Sequence, residues 1–169
     1  MRWHYTVGAY LKSIYATGFI YPEQFPLPGV RPIVWFTSSP VWEEMANKLG
    51  GDTRIRTTTQ FLNHCHEFIR LTREETAMLC GGLFRVGVGD AYPLHPFNRI
   101  VRESREPKLY PGMDRALLEA ALSVGSDPVT DWRGTFRPVP REHWKTLEHF
   151  TDEGWQSFTD VEKIMRGES

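Results

Sequence analysis

Apolar positions along this chain recur with periods that switch between two and about 3.6, and each switch marks an element. Trp3 to Thr6 is short and rich in aromatic and β-branched residues, which predicts a strand ending at Gly8. From Ala9 the spacing becomes helical. Tyr10, Leu11, Ile14 and Tyr15 share a face, and Gly18 falls where a left-handed cap belongs, so residues 9–17 read as a short amphipathic helix. Phe19-Ile20-Tyr21 completes this opening unit, and Pro22, Pro26, Pro28, Gly29 and Pro32 punctuate the loop that follows. Ile33-Val34-Trp35-Phe36-Thr37 is continuously apolar and β-prone, the pattern of a strand buried on both faces. Ser38-Ser39-Pro40 interrupts it. Ser39 is placed to cap a helix, Pro40 takes its first position, and Glu43 and Glu44 lie near the positive end, so residues 40–49 are expected to be helical and to stop at Gly50-Gly51.

Phe61, Leu62, Cys65, Phe68, Ile69 and Leu71 keep helical spacing, and Thr72-x-x-Glu75 is a capping-box pattern, so residues 60–79 read as one broken helix or two short ones. Leu83 to Val88 alternates as a strand, Gly89 to Pro96 is rich in turn residues, and the charged Arg99 to Arg105 reads as extended, at a sheet edge. Met113, Ala116, Leu117, Ala120 and Ala121 predict a helix over Met113 to Leu122, ending near Gly125. The tail, with Trp132, Phe136, Val139, Trp144, Leu147 and Trp155, reads as a strand, a short helix around Trp144 and a closing strand. No internal repeat, low-complexity tract or linker interrupts the sequence, so residues 1–169 are expected to form one α+β domain with two or more small sheets.

A length of 169 residues suits such a domain, able to bury about 70% of its unfolded surface without metals or disulfides. Twenty Lys and Arg against 21 Asp and Glu give a formal charge of −1, so no global field draws the chain to nucleic acid or to an anionic membrane. A local basic strip could still form from Arg54-Ile55-Arg56 and from Arg99 to Arg105. Cys65 and Cys80 allow at most one bridge, which suits reduced thiols in the cytoplasm. The N-terminus carries no apolar signal region and no window approaches the ~18 apolar residues of a membrane span, so a soluble, cytoplasmic protein is expected. The 13% aromatic share, with six Trp and ten Phe, exceeds the needs of a core and suits an aromatic-lined cleft.

The common phosphate-loop, complete dinucleotide-glycine, HExxH, G-x-S-x-G and C-x-x-C motifs are missing, which removes support for the reactions they serve. His64-Cys65-His66 would set adjacent side chains about 100° apart on a helix, which a tetrahedral ion cannot share, so no metal is expected. Cys80 has no positioned base beside it in sequence. The stronger constellation is His4-Tyr5-Thr6 on the first strand with Trp35-Phe36-Thr37-Ser38 at the end of the next. A histidine and a hydroxyl at i and i+2 on a strand share a face and can offer two hydrogen-bonding groups to a ribose diol or an amide.

His4-Tyr5-Thr6, then Leu11, Ile14 and Gly18, then Val34-Trp35-Phe36-Thr37-Ser38-Ser39-Pro40 resembles the entry region of the ADP-ribosyltransferase fold, in particular its bacterial DarT-like, DNA-modifying branch. The resemblance spans roughly the first 45 residues and is one of element spacing. It implies a split β-sheet core with peripheral helices and NAD lying between two small sheets. His4 would hold the adenosine ribose, with Tyr5, Thr6 and Ser38 beside it in the binding region. Thr6 would position the ribose or the nicotinamide amide, and Trp35 or Phe36 would stack on the nicotinamide. It further implies transfer of ADP-ribose to a macromolecular acceptor, protein or nucleic acid, in a toxin-like bacterial or phage protein.

Such enzymes place a late-strand glutamate at the nicotinamide ribose, where a fixed carboxylate stabilises the oxocarbenium-like cation left by the departing base. Here the matching stretch, Thr130-Asp131-Trp132-Arg133-Gly134-Thr135-Phe136, holds only Asp131, one methylene shorter. Glu43 and Glu44 are alternatives, aimed by a helix that would begin at Pro40. Arg31, Arg54, Arg56, Arg85, Arg99 and Arg102 are candidates to meet the pyrophosphate. The missing glutamate equally suits a non-catalytic ligand- or protein-binding module on the same fold, while an RNA 2′-phosphotransferase would need a fixed Arg and His set that is not traceable.

Overall fold

Among the described residues two antiparallel sheets share a single backbone bridge, Trp3–Thr37, and the candidate site lies at that junction. A computed structural model of the chain describes residues 1–22, 29–46, 49–50, 69–105 and 112–159. The first strand, β1 (Arg2–Val7), runs straight into α1 (Gly8–Thr17), whose end is capped by Gly18 at φ 72, its N–H donating to the Ile14 carbonyl. The left-handed geometry is the reason for glycine there. Two short strands follow, β2 (Phe19–Ile20) and β3 (Val34–Phe36).

Further along the chain lie β4 (Leu49–Gly50), β5 (Ile69–Arg70), α2 (Arg73–Leu79), β6 (Leu83–Val88), β7 (His95–Pro96) and α3 (Phe97–Glu103). The closing elements are α4 (Met113–Leu122), α5 (Pro128–Asp131), β8 (Arg133–Thr135), β9 (Val139–Pro140), β10 (Trp144–Thr151) and β11 (Gly154–Ser157). Strand order is β1-β6-β10-β11 in the larger sheet and β3-β8-β7 in the smaller, with β2-β9 and β4-β5 as two-stranded ribbons. The result is an α+β fold of antiparallel sheets with five α-helices among the described residues.

Several expectations change on contact with this architecture. Residues 40–46 form no α-helix. Only a 3-10 turn, Glu44–Ala46, appears, and Leu49–Gly50 is a strand. Arg99 to Arg105, expected to be extended, lies largely in α3, because Phe97, Ile100 and Val101 recur at helical spacing and are buried while Arg99, Arg102 and Glu103 face out. Trp144 begins a strand after a 3-10 turn, Arg141–His143. Of residues 60–79, α2 is described and its capping box is complete: the Glu75 amide donates to Thr72 Oγ1 at 3.1 Å and the Thr72 amide to the Glu75 carboxylate at 2.8 Å. Residues 51–68, including His64-Cys65-His66, Arg54 and Arg56, lie outside the described residues.

The larger sheet is covered on both faces. On one, Trp3, Tyr5 and Val7 of β1 pack with Trp42 and Leu83. On the other, Val86 and Val88 meet Phe36, Val34, Ile20 and Val139. A third cluster, Phe97, Ile100, Val101, Ala121 and Trp132, seats α3 and α4 beside the smaller sheet. No helix among the described residues is long and apolar enough to cross a membrane.

Candidate functional site

Trp3 and Thr37 form an isolated antiparallel bridge, each amide donating to the other's carbonyl at 2.9 Å. Here β1 of the larger sheet meets the end of β3 of the smaller one. A regular ladder would next pair Tyr5 with Trp35, two residues along each strand. Instead the Trp35 carbonyl is 2.9 Å from His4 Nδ1. A carbonyl only accepts, so Nδ1 carries the hydrogen that it donates to Trp35. The imidazole thus stands where backbone pairing stops. We call this place the fork.

The register of β1 on β6 gives the fork a second property. His4 is opposite Val86 and Tyr5 opposite Arg85. Because Trp3 turns its N–H and C=O toward Thr37, alternation turns those of Tyr5 the same way, toward β3. Among the described residues neither group makes a backbone hydrogen bond to β3. One donor and one acceptor, side by side, therefore face the fork next to the histidine.

The predicted site residues separate into three groups. His4, Thr6 and Phe36 belong to one face: the His4 and Phe36 rings are 5.7 Å apart, and Thr6 is buried. The Tyr5 side chain lies on the opposite face, as strand alternation requires, with its hydroxyl donating to the Ser39 carbonyl at 2.7 Å and its ring 4.9 Å from Trp42. Burial pushes its phenol up to about 12, against the opposing hydrogen bond and positive charge of Arg85. Trp35 joins the third cluster, 5.6 Å from Trp132 and 6.2 Å from Phe97.

Ser38 and Asp131 form the second group. The Ser38 hydroxyl donates to Asp131 Oδ1, and its amide donates to the Asp131 carbonyl at 3.1 Å. Asp131, expected on a strand, ends α5 instead. The pairing of Phe36 with Arg133 shows that this dyad sits on the closed side of the Trp3–Thr37 bridge, whereas the fork opens toward Trp35 and Val34. Glu43 is the third. It is 9% exposed, and its carboxylate accepts from the Ser126 hydroxyl, from the Trp132 indole at 2.9 Å and from the Met45 amide at 3.3 Å. Glu44 is exposed.

The arginines sort as clearly. Arg85, a candidate to meet the pyrophosphate, lies on the interior strand β6 and is 7% exposed. Its Nε and Nη2 donate to Glu148 at 2.8 and 2.5 Å, and Nη1 donates to the Pro40 carbonyl. Arg31 lies 3.9 Å over Phe136, and Arg99 pairs with Glu103 at 2.8 Å. Arg102 is exposed on α3. Arg133, not anticipated, is half-buried opposite Phe36 and donates to the Trp132 and Thr130 carbonyls. Trp132 and Ser126, the partners of Glu43, were equally unanticipated. Only the tertiary fold reveals them, because they lie more than 80 residues from Glu43. Among the described residues no three His, Cys, Asp or Glu side chains gather as a metal site. Comparison with protein-family models, curated proteins and solved structures returns no match to this chain.

Proposed function

We propose that this protein binds NAD at the fork and acts as an ADP-ribosyltransferase-like protein on a macromolecular acceptor. The observation that carries the reading is the His4 imidazole held at the point where the two sheets cease to pair, beside the inward N–H and C=O of Tyr5. A primary carboxamide offers one acceptor and two donors, so it complements an adjacent backbone donor and acceptor. Nicotinamide carries that group, and an oriented imidazole suits a ribose diol. In transfer the glycosidic bond to nicotinamide breaks, the base leaves with the bonding pair, and an acceptor nucleophile closes on the cationic sugar carbon. Glu43 has both oxygens committed to protein donors, and Asp131, which accepts from Ser38, is the carboxylate assigned to that charge.

A second reading, a module that holds the nucleotide without cleaving it, is favoured by one specific feature. Asp131 stands on the closed side of the bridge and is engaged by Ser38, and β8 itself carries no carboxylate. Titration calorimetry tests the shared premise: saturable NAD binding is expected, and His4→Ala should weaken it at least about 10-fold, the equivalent of ~1.4 kcal/mol. No heat from well-folded wild type with either NAD or ADP-ribose would end both readings. Nicotinamide release above the buffer rate, lost in Asp131→Asn, selects the enzyme.

A further inference from the structure

The segment after the bridge is tied down in an unusual way. Three consecutive carbonyls accept from three side chains on three different strands: Ser39 from Tyr5 of β1 at 2.7 Å, Pro40 from Arg85 of β6, and Val41 from the Trp155 indole of β11 at 2.6 Å. The remaining strand, β10, supplies Glu148, which fixes Arg85 through two donors. The guanidinium is also covered by aromatic rings, 3.8 Å from Trp3 and 4.4 Å from Trp155. A planar, doubly paired and doubly stacked arginine has little rotational freedom, so its third nitrogen, Nη1, is a fixed donor point. The turn closes locally as well, the Ser39 hydroxyl donating to the Trp42 carbonyl at 2.8 Å.

We infer that Arg85 is a positioning residue of the fork: by holding the 39–41 strap it sets where β3 leaves β1, and so where His4 and the Tyr5 backbone open toward a ligand. The physical argument is one of leverage. Among the described residues Trp3–Thr37 is the one backbone bridge between β1 and β3, joined by the His4 side chain at the Trp35 carbonyl, and the strap begins two residues beyond Thr37. Two backbone bonds and one side-chain bond make a weak joint. Three side-chain anchors on the far face of the same sheet prevent the strap from peeling, and the joint stays at Trp3–Thr37. The importance for ligand binding rests on the NAD reading. The placement of the joint does not.

Amide hydrogen exchange on the full chain separates the two. In Arg85→Lys, which keeps the charge but loses the fork of donors, exchange at Trp3, Thr37 and Ser38 should rise about fivefold to tenfold, the scale of one lost hydrogen bond, while Val86 and Leu147 amides stay as in wild type. Trp155→Phe removes one anchor and keeps a ring over Arg85, so it should give the same local pattern in smaller degree and serves if Arg85→Lys fails to fold. Faster exchange confined to the strap, with the bridge amides unchanged, overturns the inference, as does a uniform rise across β6 and β10. If the bridge amides respond and wild type binds NAD, Arg85→Lys should bind it about 10-fold more weakly and Trp155→Phe more weakly in smaller degree. If they respond and wild type does not bind NAD, the positioning role stands and the cofactor reading fails.

Discussion

Tyr5 serves both faces of the sheet at once: its backbone looks into the fork while its side chain reaches through to the strap. Its phenol is pushed up to about 12 from 10.0, mainly by burial. The unfolded chain therefore gives up this proton near pH 10, while the folded chain keeps it to about 12. The neutral form is the one that the fold favours, so its contribution is complete below pH 10 and is lost as pH climbs toward 12. Tyr5→Phe removes both the titration and the hydrogen bond to Ser39. The variant should be about 0.5–1.5 kcal/mol less stable at neutral pH, and the gap should narrow along the alkaline limb. Urea unfolding across that range checks both parts, and two limbs that run parallel would show that Tyr5 is not the group being titrated.

At the scale of elements, α1 and its stop are read directly from periodicity. An added Cβ at Gly18 would meet nothing within 4 Å, so the cost of Gly18→Ala is almost wholly that of its left-handed backbone at φ 72. Loss of about 1–2 kcal/mol is expected in thermal or urea unfolding, and an unchanged midpoint would mean that the chain ends α1 in some other way. The strands β1 and β6, the cap at Thr72 and the helix α4 were legible for the same reason: neighbours in sequence determine them. The helix expected over residues 40–49 fails at its start because its cues, Ser39 and Pro40, were local, while the carbonyls of Ser39, Pro40 and Val41 are taken by side chains of Tyr5, Arg85 and Trp155. Tertiary bonds override a weak propensity. Trp144 shows the same effect, drawn into β10 by its pairing with Val88 on β6. Of the site, the shared face of His4 and Thr6 follows from the strand period alone, whereas the meeting of His4 with Phe36 depends on how β3 reaches β1. The committed state of Glu43 and Arg85 was not legible either, since it depends on partners from distant elements.

On the scale of the whole molecule, the two sheets meet through a backbone bridge, an imidazole and a strap, and a ligand that enters there should act on all three. Binding to the native state alone stabilises by RT ln(1 + [L]/Kd), about 2.7 kcal/mol at a hundredfold excess over Kd. That increment would not by itself locate the ligand, because any native-state site produces it. The Tyr5 amide does. It faces the fork without a β-ladder partner on β3, so a carboxamide oxygen should slow its exchange strongly, whereas the Trp3 and Thr37 amides, already bonded, should change little. NAD and nicotinamide-bearing fragments should therefore protect Tyr5. ADP-ribose, which lacks the carboxamide, should raise Tm and leave the Tyr5 amide as it was. In His4→Ala the ribose contact is lost while the Tyr5 backbone remains, so nicotinamide alone should still protect and ADP-ribose should no longer stabilise. Equal protection by NAD and ADP-ribose would place the adenosine half at Tyr5 and reverse the orientation of the cofactor along the fork.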